Sequence, residues 1–401
     1  MRLDGQKITV LGAGIAGLAV ARALALKGAR VEVLEQAGAI QEVGAGLQIS
    51  PNGARVLRAL GLGEAFADAG LRAAAVELRD GRDGGLVARL DLGRLRPGQE
   101  YRFLHRADLI DLLAAGARAA GVTITTGRRI AMVDLGPDGP VLHDAAGQGL
   151  RPGLVIGADG LHSVLRHALN GPHDGAAKPF FTRQAAWRAV IPAEPDAPAA
   201  AEVHMGAGRH VVSYPLRGGA LRNIVAIEER DRWTEEGWAL KDDPIALRLA
   251  FSGFGPRVRG WLDQVEDCWL WGLHRHHVAR HWVWTGAQGA AAILGDAAHP
   301  TLPFLAQGAN MALEDAWVLA QKLAGAEDAA GLAPALAAYQ AARVPRCARI
   351  VEAANANARA YHLGGLPREV AHLGLRLAGS LAPGAMLRRF DWIYDHDVTA
   401  G

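Results

Sequence analysis

The segment KITVLGAGIAGLAVARALALKGARVEVLEQ, residues 7–36, constrains the fold more than any other part of the chain. Residues 8–11 form a short apolar run suited to a buried parallel strand, and residues 16–27 have the apolar spacing of a helix that Gly28 ends. Residues 31–34 form the next apolar run. A strand, a glycine turn, a helix and a strand in this order predict a βαβ unit built on a parallel sheet.

Three glycines in the turn, Gly12, Gly14 and Gly17, have the spacing G-x-G-x-x-G. The first permits a tight turn, the second lets the backbone approach a pyrophosphate, and the third lets the helix pack on the strand. The phosphates then lie at the positive end of the helix. Glu35 ends the second strand, where a carboxylate accepts hydrogen bonds from a ribose diol. The unit predicts a dinucleotide cofactor but does not distinguish NAD from FAD.

A second stretch, GDAAHPTLPFLAQGANMALEDA at residues 295–316, favours a flavin. Asp296 follows an apolar strand expected at residues 292–294, and its carboxylate suits a polyol such as a ribityl chain. Pro300 and Pro303 make the next loop rigid. Residues 308–310 then lead into a helix whose first amides have no partners within the helix. Those amides and the helix dipole suit the carbonyl edge of a flavin ring, which gains negative charge on reduction.

The remaining pattern predicts an α/β protein with an interrupted first domain. Helices are expected over residues 51–66 and 108–120, a strand over residues 122–125, and a strand, turn and helix over residues 153–169. Short alternating runs at residues 185–192, 202–206, 209–216 and 223–229 predict an antiparallel sheet. We expect a Rossmann-like FAD-binding domain in residues 1–72, 102–175 and 282–345, a β-rich substrate domain in residues 73–101 and 176–281, and a helical C-terminal region in residues 346–401.

Composition argues against several classes of protein. The formal net charge of the 401 residues is +2, which gives no reason to expect a nucleic-acid or membrane partner. The two cysteines, Cys268 and Cys347, are too few for a disulfide framework or a cysteine metal site, so we expect a reducing, cytoplasmic setting. Residues 8–26 are not expected to be a signal peptide, because Arg22 interrupts the apolar run and its glycines have the cofactor spacing.

Three motifs occur in the order and spacing of a known family: the G-x-G-x-x-G turn, a "DG" motif in GADG at residues 157–160, and a "GD" motif at residues 295–296. In this combination the chain resembles the FAD-dependent aromatic hydroxylases, the single-component flavoprotein monooxygenases. The segment LHRADL also matches, and the resemblance places its Arg106 along the FAD. GAGLQISPNGARVL and HVVSYPLRGG are similar to the branch of salicylate hydroxylase and 3-hydroxybenzoate 6-hydroxylase.

The resemblance implies an activity and a set of partners. FAD binds noncovalently, NADH or NADPH reduces it, and a flavin hydroperoxide formed with O₂ hydroxylates a small electron-rich aromatic of the hydroxybenzoate or salicylate kind. The implied protein is a monomer or a homodimer. The expected cofactor-binding residues are Gly12, Gly14, Ala16, Gly17, Glu35, Gln36, Gly46, Leu47, Arg106, Asp159, Asp296, Gly308, Ala309 and Asn310.

Two polar residues of these motifs have alternative interpretations. Asp159 either caps the helix after Gly160 or serves FAD and nicotinamide binding, as the family's aspartate does, and both roles are compatible. His299, directly after the GD motif, is more simply a structural histidine satisfied by loop backbone than a catalytic one.

The expected catalytic residues are His210 and Tyr214. They are four residues apart on a predicted strand, so they share a face. In relatives of the 3-hydroxybenzoate type, a histidine and a tyrosine at this spacing contact the substrate's phenolic oxygen. The alternative is a pair packed on an exposed sheet face. The chain departs from some of these relatives at Pro303, where they carry glutamine.

A histidine-rich segment, HRHHVARH, contains His274, His276, His277 and His281. Flanking tryptophans alternate as in a strand, and no carboxylate has obvious ligand spacing, so we expect no metal and consider instead that the segment lines the pocket.

Other functions are compatible with a flavin. A disulfide reductase needs a redox cysteine pair, which the chain lacks, and the tryptophan motif of a flavin halogenase ends in Ile-Pro, unlike WVWTG here. A flavin-dependent oxidase or reductase of the same fold, or a non-catalytic flavin-binding protein, remains the alternative.

Overall fold

The structure is a computed structural model that describes residues 3–40, 45–171, 178–232, 240–326, 328 and 330–400. Gly44 of the segment GAGLQIS and the expected domain boundary between residues 175 and 176 lie outside these residues. Within them, no helix has the length and apolar character needed to cross a membrane.

The described strands, in chain order, are β1 (Lys7–Leu11), β2 (Arg30–Leu34), β3 (Gly46–Ile49), β4 (Leu71–Arg72), β5 (Ala75–Asp80), β6 (Leu86–Asp91), β7 (Arg102–His105), β8 (Thr123–Thr125), β9 (Ile130–Gly136), β10 (Gly139–Asp144), β11 (Gly149–Leu150), β12 (Leu154–Gly157), β13 (Phe180–Pro192), β14 (Ala200–Gly206), β15 (Arg209–Leu216), β16 (Leu221–Glu229), β17 (Lys241–Asp242), β18 (Cys268–Arg275), β19 (Val283–Gly286) and β20 (Gly289–Ile293).

The described helices are α1 (Ile15–Ala25), α2 (Pro51–Ala59), α3 (Gly63–Ala69), α4 (Arg106–Ala119), α5 (Val164–Asn170), α6 (Pro244–Ala250), α7 (Pro256–Asp263), α8 (Gly308–Ala324), α9 (Leu332–Tyr361), α10 (Gly365–Leu381), α11 (Pro383–Arg388) and α12 (Asp391–Tyr394).

A six-stranded sheet in the order β19-β20-β12-β1-β2-β8 forms the centre of the first domain. All its pairings are parallel except that of β19 with β20. Its strands β12 and β20 are apolar and buried, as strands covered on both faces are, and α1 packs against α8 and α4 beside the sheet. The predicted βαβ unit is therefore present, with helix α1 ending two residues earlier than the sequence pattern indicated.

The second sheet has eight strands in the order β17-β18-β13-β16-β15-β14-β5-β6. The expected antiparallel pairing holds for β13, β14, β15 and β16, and β18 also joins β13 antiparallel, but the other edge of β14 pairs with β5 in parallel. The parallel pair arises because residues 75–91 join this sheet from a distant part of the chain, and a connection of that length lets two strands run in the same direction. The sheet is thus mixed rather than purely antiparallel.

Two helix predictions needed correction. The helix expected over residues 51–66 is two helices, α2 and α3, separated at Gly61, whose φ of 72° is left-handed and ends the first helix. Proline commonly ends a helix, and a new helical region was expected after Pro345, yet α9 continues through that residue. Its buried face, which includes Tyr339, Arg343 and Cys347, holds the helix together across the missing hydrogen bond.

Candidate active site

Four strands of the six-stranded sheet end at the same edge. Gly12 follows β1, Glu35 follows β2, Asp159 lies two residues after β12, and Asp296 lies three residues after β20. Because β1, β2, β12 and β20 are parallel neighbours, their carboxyl ends meet, and ligands of open α/β sheets bind outside such ends. The motifs recognised separately in the sequence therefore converge on one cleft.

The glycine turn has the geometry that close backbone approach requires. Gly12 has a φ of 94°, and a Cβ there would lie 2.5 Å from the carbonyl oxygen of Ala158. A Cβ on Gly17 would lie 1.9 Å from the carbonyl oxygen of Gly12. At Gly14, by contrast, a Cβ would meet no described atom within 4 Å, so this residue faces the cleft. The amides at the start of α1 have no side-chain cap.

Glu35 is tied to the same turn. Its Oε2 accepts a 2.7 Å hydrogen bond from the amide of Ala13, and its Oε1 accepts a 2.8 Å hydrogen bond from Ala37. The carboxylate is thus held at the end of β2 in a fixed orientation, and the neighbouring Gln36 is exposed.

Asp159 caps α5, as the first of its two interpretations requires. Its Oδ2 accepts from the amide of Val164 at 2.9 Å, and its Oδ1 accepts from the hydroxyl of Ser163 at 2.5 Å. Burial raises the pKa of Asp159, and these hydrogen bonds oppose that effect. Arg166 in the same helix donates to the carbonyl oxygens of Ala297 and Ala298, both at 3.2 Å, and so joins the DG and GD segments.

The GD turn lies against the start of α1. Gly295 has a φ of 61°, and a Cβ there would come within 2.9 Å of the Cβ of Ala16. Asp296 is exposed on the wall of a cleft. Desolvation in the cleft raises its pKa, against the lowering effects of the charges on His299 and Arg106. Arg106, the first residue of α4, is thus close enough to Asp296 for their charges to interact, and the two lie on one cleft.

His299 is structural, but its partner is not loop backbone as the sequence suggested. Its Nε2 donates to Asp315 Oδ2 at 2.5 Å, and both side chains are fully buried. Although burial lowers the pKa of His299, the neighbouring Cys347 and Asp315 raise it well above its ordinary value. Asp315 also accepts from Arg343 Nε at 2.7 Å. This buried ion-pair network fixes the loop after the GD motif on α8.

The group formed by His299, Asp315 and Cys347 brings three possible ligand atoms within 4.8 Å of one another. The guanidinium of Arg343 donates to Asp315 Oδ1 and lies 3.6 Å from Cys347 Sγ. A second cation would be repelled there, so the group is an ion-pair network rather than a metal centre.

Helix α8 begins at Gly308, with Gln307 preceding it and no side chain capping its amides. Gly308 and Ala309 occupy its first turn, as the sequence indicated. Asn310 has a different role: its Oδ1 accepts from the amide of Ser50 at 3.0 Å, and its Nδ2 donates to Gln48 and Ala306. Asn310 therefore ties β3 to the loop before α8, while no side chain caps the first amides of the helix.

Strand β3 brings Gly46 to the second sheet, whereas Leu47 packs partly buried against the core of the first domain. The amide of Gly46 donates to Asn223 Oδ1 at 2.8 Å, and a Cβ on Gly46 would lie 2.6 Å from the ring of Tyr214. Asn223 Nδ2 is buried without a hydrogen-bond partner among the described residues. The contact explains why a glycine is needed at this position.

The sheet face that carries His210 is covered by apolar side chains. The cluster combines Val225 and Ile227 of β16, Leu302 and Phe304 from the loop after the GD motif, and residues of α9. The His210 ring lies 5.2 Å from the Phe304 ring and is fully buried. The alternative of a pair packed on an exposed sheet face is therefore wrong, since the face is buried.

Tyr214 shares the face with His210 but has other neighbours. Its ring lies 5.0 Å from that of Phe103, near Gly46. The two Cα positions are four strand residues apart, about 13 Å. Burial raises the pKa of Tyr214, and the charge of Arg188 lowers it. The two predicted catalytic side chains can therefore act on the same ligand only if that ligand extends from one to the other.

Sequence reasoning missed His362, which follows α9. Its Nε2 lies 2.7 Å from His210 Nδ1, and its Nδ1 lies 2.8 Å from Glu229 Oε1. Burial, together with His362, holds the pKa of His210 well below its ordinary value. No sequence signal links residues so far apart, because the contact depends on where the end of a long helix meets the sheet.

The comparisons with known proteins agree with this geometry. A family model described as an FAD binding domain matches residues 6–354. The chain belongs to the FAD-dependent aromatic hydroxylases. It is 35% identical over 98% of its length to a 3-amino-4-hydroxybenzoate 2-monooxygenase of Streptomyces platensis, of which it covers 96%. It is 33% identical over 98% of its length to the 3-hydroxybenzoate 6-hydroxylase of Polaromonas naphthalenivorans, of which it also covers 96%.

The fold of this hydroxylase is similar to that of a salicylate hydroxylase solved as a substrate complex, with a TM-score of 0.81 and 24% identity. The alignment covers 98% of this chain and 96% of that one. As a member of the family shown by the sequence matches, the hydroxylase uses FAD, NAD(P)H and O₂, as the resemblance implied.

The cleft of the hydroxylase fits FAD. Gly14 leaves room beside the uncapped start of α1 for a pyrophosphate, Asp296 is exposed where a polyol would pass, and the start of α8 supplies amides for a ring edge. Each of these features lies on the carboxyl edge of one sheet, as a cofactor extended from phosphate to ring requires.

Two rings of the histidine-rich segment lie against backbone carbonyl groups. His274, near the end of β18, has its Nδ1 2.9 Å from the carbonyl oxygen of Gly272, and His276 Nε2 lies 3.0 Å from that of Leu161. His276 lines a cavity of about 400 Å³ beside α5, together with His162, Arg166 and Lys178. The segment thus borders the DG side of the molecule rather than the His210 face.

Proposed function

We propose that this hydroxylase acts on a monocyclic phenol that also carries a carboxylate, a hydroxybenzoate or aminohydroxybenzoate. The observation that carries the proposal is His210 Nε2, a buried nitrogen with no hydrogen-bond partner among the described residues, on the covered face of the second sheet. A ligand hydroxyl is the complement of such an atom. The names of the two similar enzymes given above support the same class.

His210 is the proposed base. Removing the proton of the phenol makes the ring electron-rich, and a positioned base is typically responsible for about 10²- to 10⁴-fold of the rate. Its low pKa keeps the imidazole neutral at pH 7, so that Nε2 has a lone pair available. Tyr214 and Asn223, which stand opposite each other on β15 and β16, are proposed to hold the far side of the ligand.

Arg188 of β13 is the proposed partner of the carboxylate. It stands opposite Val225, and Val225 stands opposite Val212 of β15, so Arg188 points to the same sheet face as His210. Two strand spacings, about 10 Å, separate Arg188 from β15, a distance that a substituted benzoate and two side chains span. Its guanidinium lies 4.6 Å from the Trp271 ring centroid, which limits its orientations.

FAD supplies the oxygen-transfer chemistry when it is bound, and the chain binds it, orients it and excludes water. The residues proposed to hold it are those expected from the sequence, from Gly12 and Gly14 at the pyrophosphate to Asp296 at the ribityl chain and the start of α8 at the ring. Asn310 is proposed to affect FAD binding only indirectly, because its side chain forms hydrogen bonds with the backbone of Ser50, next to β3, and of Ala306.

The test is a comparison of 3-amino-4-hydroxybenzoate, 3-hydroxybenzoate, benzoate and phenol as stimulators of NAD(P)H oxidation, with O₂ uptake and product mass measured together. We expect the two hydroxybenzoates to give a product heavier by one oxygen atom. Benzoate lacks the hydroxyl for His210, and phenol lacks the carboxylate for Arg188, so both should be poor substrates. Arg188→Met should raise KM for the hydroxybenzoates while Arg188→Lys restores part of the affinity.

An oxidase or reductase of the same fold is the alternative, and O₂ uptake without oxygen in the organic product would establish it. NADH and NADPH are to be compared in the same assay.

Cys268 and Cys347 are both free and buried, which agrees with the expected reducing, cytoplasmic setting.

For the assembly we propose a homodimer formed through α10. This helix exposes an apolar stripe with four- and three-residue spacing, Leu366, Val370, Leu373, Leu377 and Leu381, with exposed fractions of 54–84%. Five such side chains expose on the order of several hundred Å², comparable with half of a standard interface. The spacing is that of a helix seam.

The occupant is a second copy, because the stripe is self-complementary. If two α10 helices pack antiparallel about Leu373, Glu369 of one comes close to Arg376 of the other. Leu373→Glu with Leu377→Glu should convert a dimer into a monomer in light scattering, while Leu249→Glu, at a position 68% exposed on α6, should not. A monomeric wild-type protein, or one that binds anionic lipid vesicles through the stripe, would contradict the proposal.

A further inference from the structure

We propose that His362 and Glu229 form a proton path from His210 to the surface of the protein. The proposal rests on His210 acting as the base, and it assigns roles to two residues that the motifs do not include. His210 Nδ1 lies 2.7 Å from His362 Nε2, and His362 Nδ1 lies 2.8 Å from Glu229 Oε1. The His210 side chain is fully buried, whereas the Glu229 side chain is 55% exposed.

The order of donors along this path follows from Glu229. An ionised carboxylate only accepts hydrogen bonds, so His362 Nδ1 carries a proton and donates it. In a neutral imidazole the other nitrogen is then an acceptor, so His362 Nε2 accepts from His210 Nδ1. His210 Nε2 is left with a lone pair, and this is the atom that is buried without a partner. An exposed carboxylate thus sets the tautomer of a buried base.

The path removes the difficulty of charging a buried imidazole. Burial lowers the pKa of His210 and of His362, so a cation on either ring is unfavourable. A proton that enters at one end while another leaves at the far end places no lasting charge on the two rings. The charge change falls on Glu229, where water screens it.

The transfer balances atom by atom. The phenol O–H bond breaks and a bond from hydrogen to His210 Nε2 forms. The Nδ1 proton of His210 moves to His362 Nε2, and the Nδ1 proton of His362 moves to Glu229, which releases it to water. The substrate becomes a phenolate and both rings exchange tautomers. The reverse sequence reprotonates the product hydroxyl and restores the original tautomers.

The surroundings favour this path over a general response to pH. Backbone hydrogen bonds hold its members together: the amide of Gly208 donates to His362, and the amide of Glu229 donates to Gly208. The other titratable groups at the two rings are Tyr361, whose pKa burial raises to about 12, and Arg209, whose charge lowers the pKa of His362. Tyr361 therefore stays neutral between pH 5 and 9, so the path depends on His362 and Glu229.

The test uses Glu229→Gln and His362→Gln in the FAD-loaded protein, with 4-hydroxy-3-nitrobenzoate as the probe. Its phenolate absorbs visible light, so stopped-flow mixing on the acid side of its own ionisation reports proton loss on binding. The glutamine at 229 still accepts from His362 but takes up no proton. We expect both variants to slow ionisation of the bound probe by about tenfold or more, with FAD content and probe affinity retained.

The matched control is Glu228→Gln, which alters the adjacent carboxylate, paired with Arg230 rather than with His362. It should ionise the probe at the wild-type rate. In hydroxylation assays the two path variants should lose rate near neutral pH and regain it at alkaline pH, where the substrate enters as phenolate. A loss equal at every pH would show a structural role and overturn the proposal.

The two proposals fail differently. Suppose that the wild type hydroxylates hydroxybenzoates but both path variants ionise the probe as fast as the wild type does. The path is then wrong and the function stands. If no aromatic is hydroxylated but probe ionisation still depends on Glu229 and His362, the path stands and the function is wrong.

Discussion

The carboxylate of Asp315 in α8 accepts a 3.0 Å hydrogen bond from the amide of Gly295 in the GD turn. The same oxygen pairs with His299, and the other oxygen pairs with Arg343 of α9. One buried side chain therefore fixes the turn, the loop after it and two helices relative to one another.

Asp315→Asn should destabilise the protein strongly. It leaves His299 as a buried cation without its anion and removes one of the two buried carboxylates paired with Arg343, and breaking a buried pair typically costs about 3–5 kcal/mol. Urea unfolding of the variant measures the loss. Asp231→Asn, which removes a carboxylate from an exposed pair with Arg183, should change the free energy of unfolding by less than about 1 kcal/mol. Equal effects of the two substitutions would refute the central role of Asp315.

Gly14→Ala and Gly12→Ala should impair different properties of the protein: the first should weaken FAD binding, and the second should destabilise the fold. Gly14 has a φ of −78°, which alanine tolerates, and a Cβ there meets no described atom, so the variant should fold normally. Its methyl group would occupy the space proposed for the pyrophosphate, so FAD should bind about tenfold more weakly or worse, about 1.4 kcal/mol.

Gly12→Ala places a Cβ against the Ala158 carbonyl in a left-handed conformation and should lower the melting temperature even without FAD. Fluorescence titration with FAD and thermal unfolding of the apoprotein separate the two effects. Tight FAD binding by Gly14→Ala would show that the cofactor does not approach this residue.

His210→Ala should reduce hydroxylation by about 10²- to 10⁴-fold while FAD stays bound. A substrate whose hydroxyl is already ionised should lose less than one with a higher pKa, because only the second needs the base. The comparison is made by kcat for each substrate in wild type and variant. Equal losses would mean that His210 orients the ring, and a fall in FAD content would mean that it is structural.

Glu202 should make the free energy of unfolding depend on pH in the acid range. Its side chain is 2% exposed; burial raises its pKa, but hydrogen bonds from His204 and Arg257 lower it to about 2. A carboxyl group whose pKa is lower in the folded protein stabilises the fold at pH values above its pKa in the unfolded chain. It loses that effect as the pH falls toward its pKa in the folded protein. From an ordinary pKa near 4.3, the contribution is about 3 kcal/mol.

Glu202→Gln should therefore be destabilised relative to wild type at pH 7, and the difference should shrink as the pH falls from about 4.5 toward about 2. Urea midpoints at a series of pH values follow the difference. A gap that stays constant from pH 7 to pH 3 would show that the carboxylate charge does not matter to folding.

The cofactor cleft could be anticipated from the sequence because its parts are local. A glycine turn, a strand end or an uncapped helix start is encoded within a few residues, and parallel strands bring such ends to one edge. Gly12, Glu35, Asp159 and Asp296 accordingly lie where the pattern placed them. The strand period also assigned His210 and Tyr214 to one face.

The partners of these residues could not be anticipated, because they depend on packing between distant segments. Nothing in the sequence indicates that Asp315 pairs with His299, that Asn310 bonds β3, or that the charge of Arg188 acts on Tyr214. The parallel pairing of β14 with β5 was missed for the same reason. Periodicity gives the face of an element, whereas the neighbour on that face depends on the whole fold.

Helix α9 has 30 residues and spans about 45 Å, from the ion pairs beside the GD turn to His362 just beyond its end. The family match stops at residue 354, before that histidine. A substitution at residue 362 would therefore change the neighbour of His210 without altering any residue of the motifs that place the chain in its family. A motif search alone would not register that change.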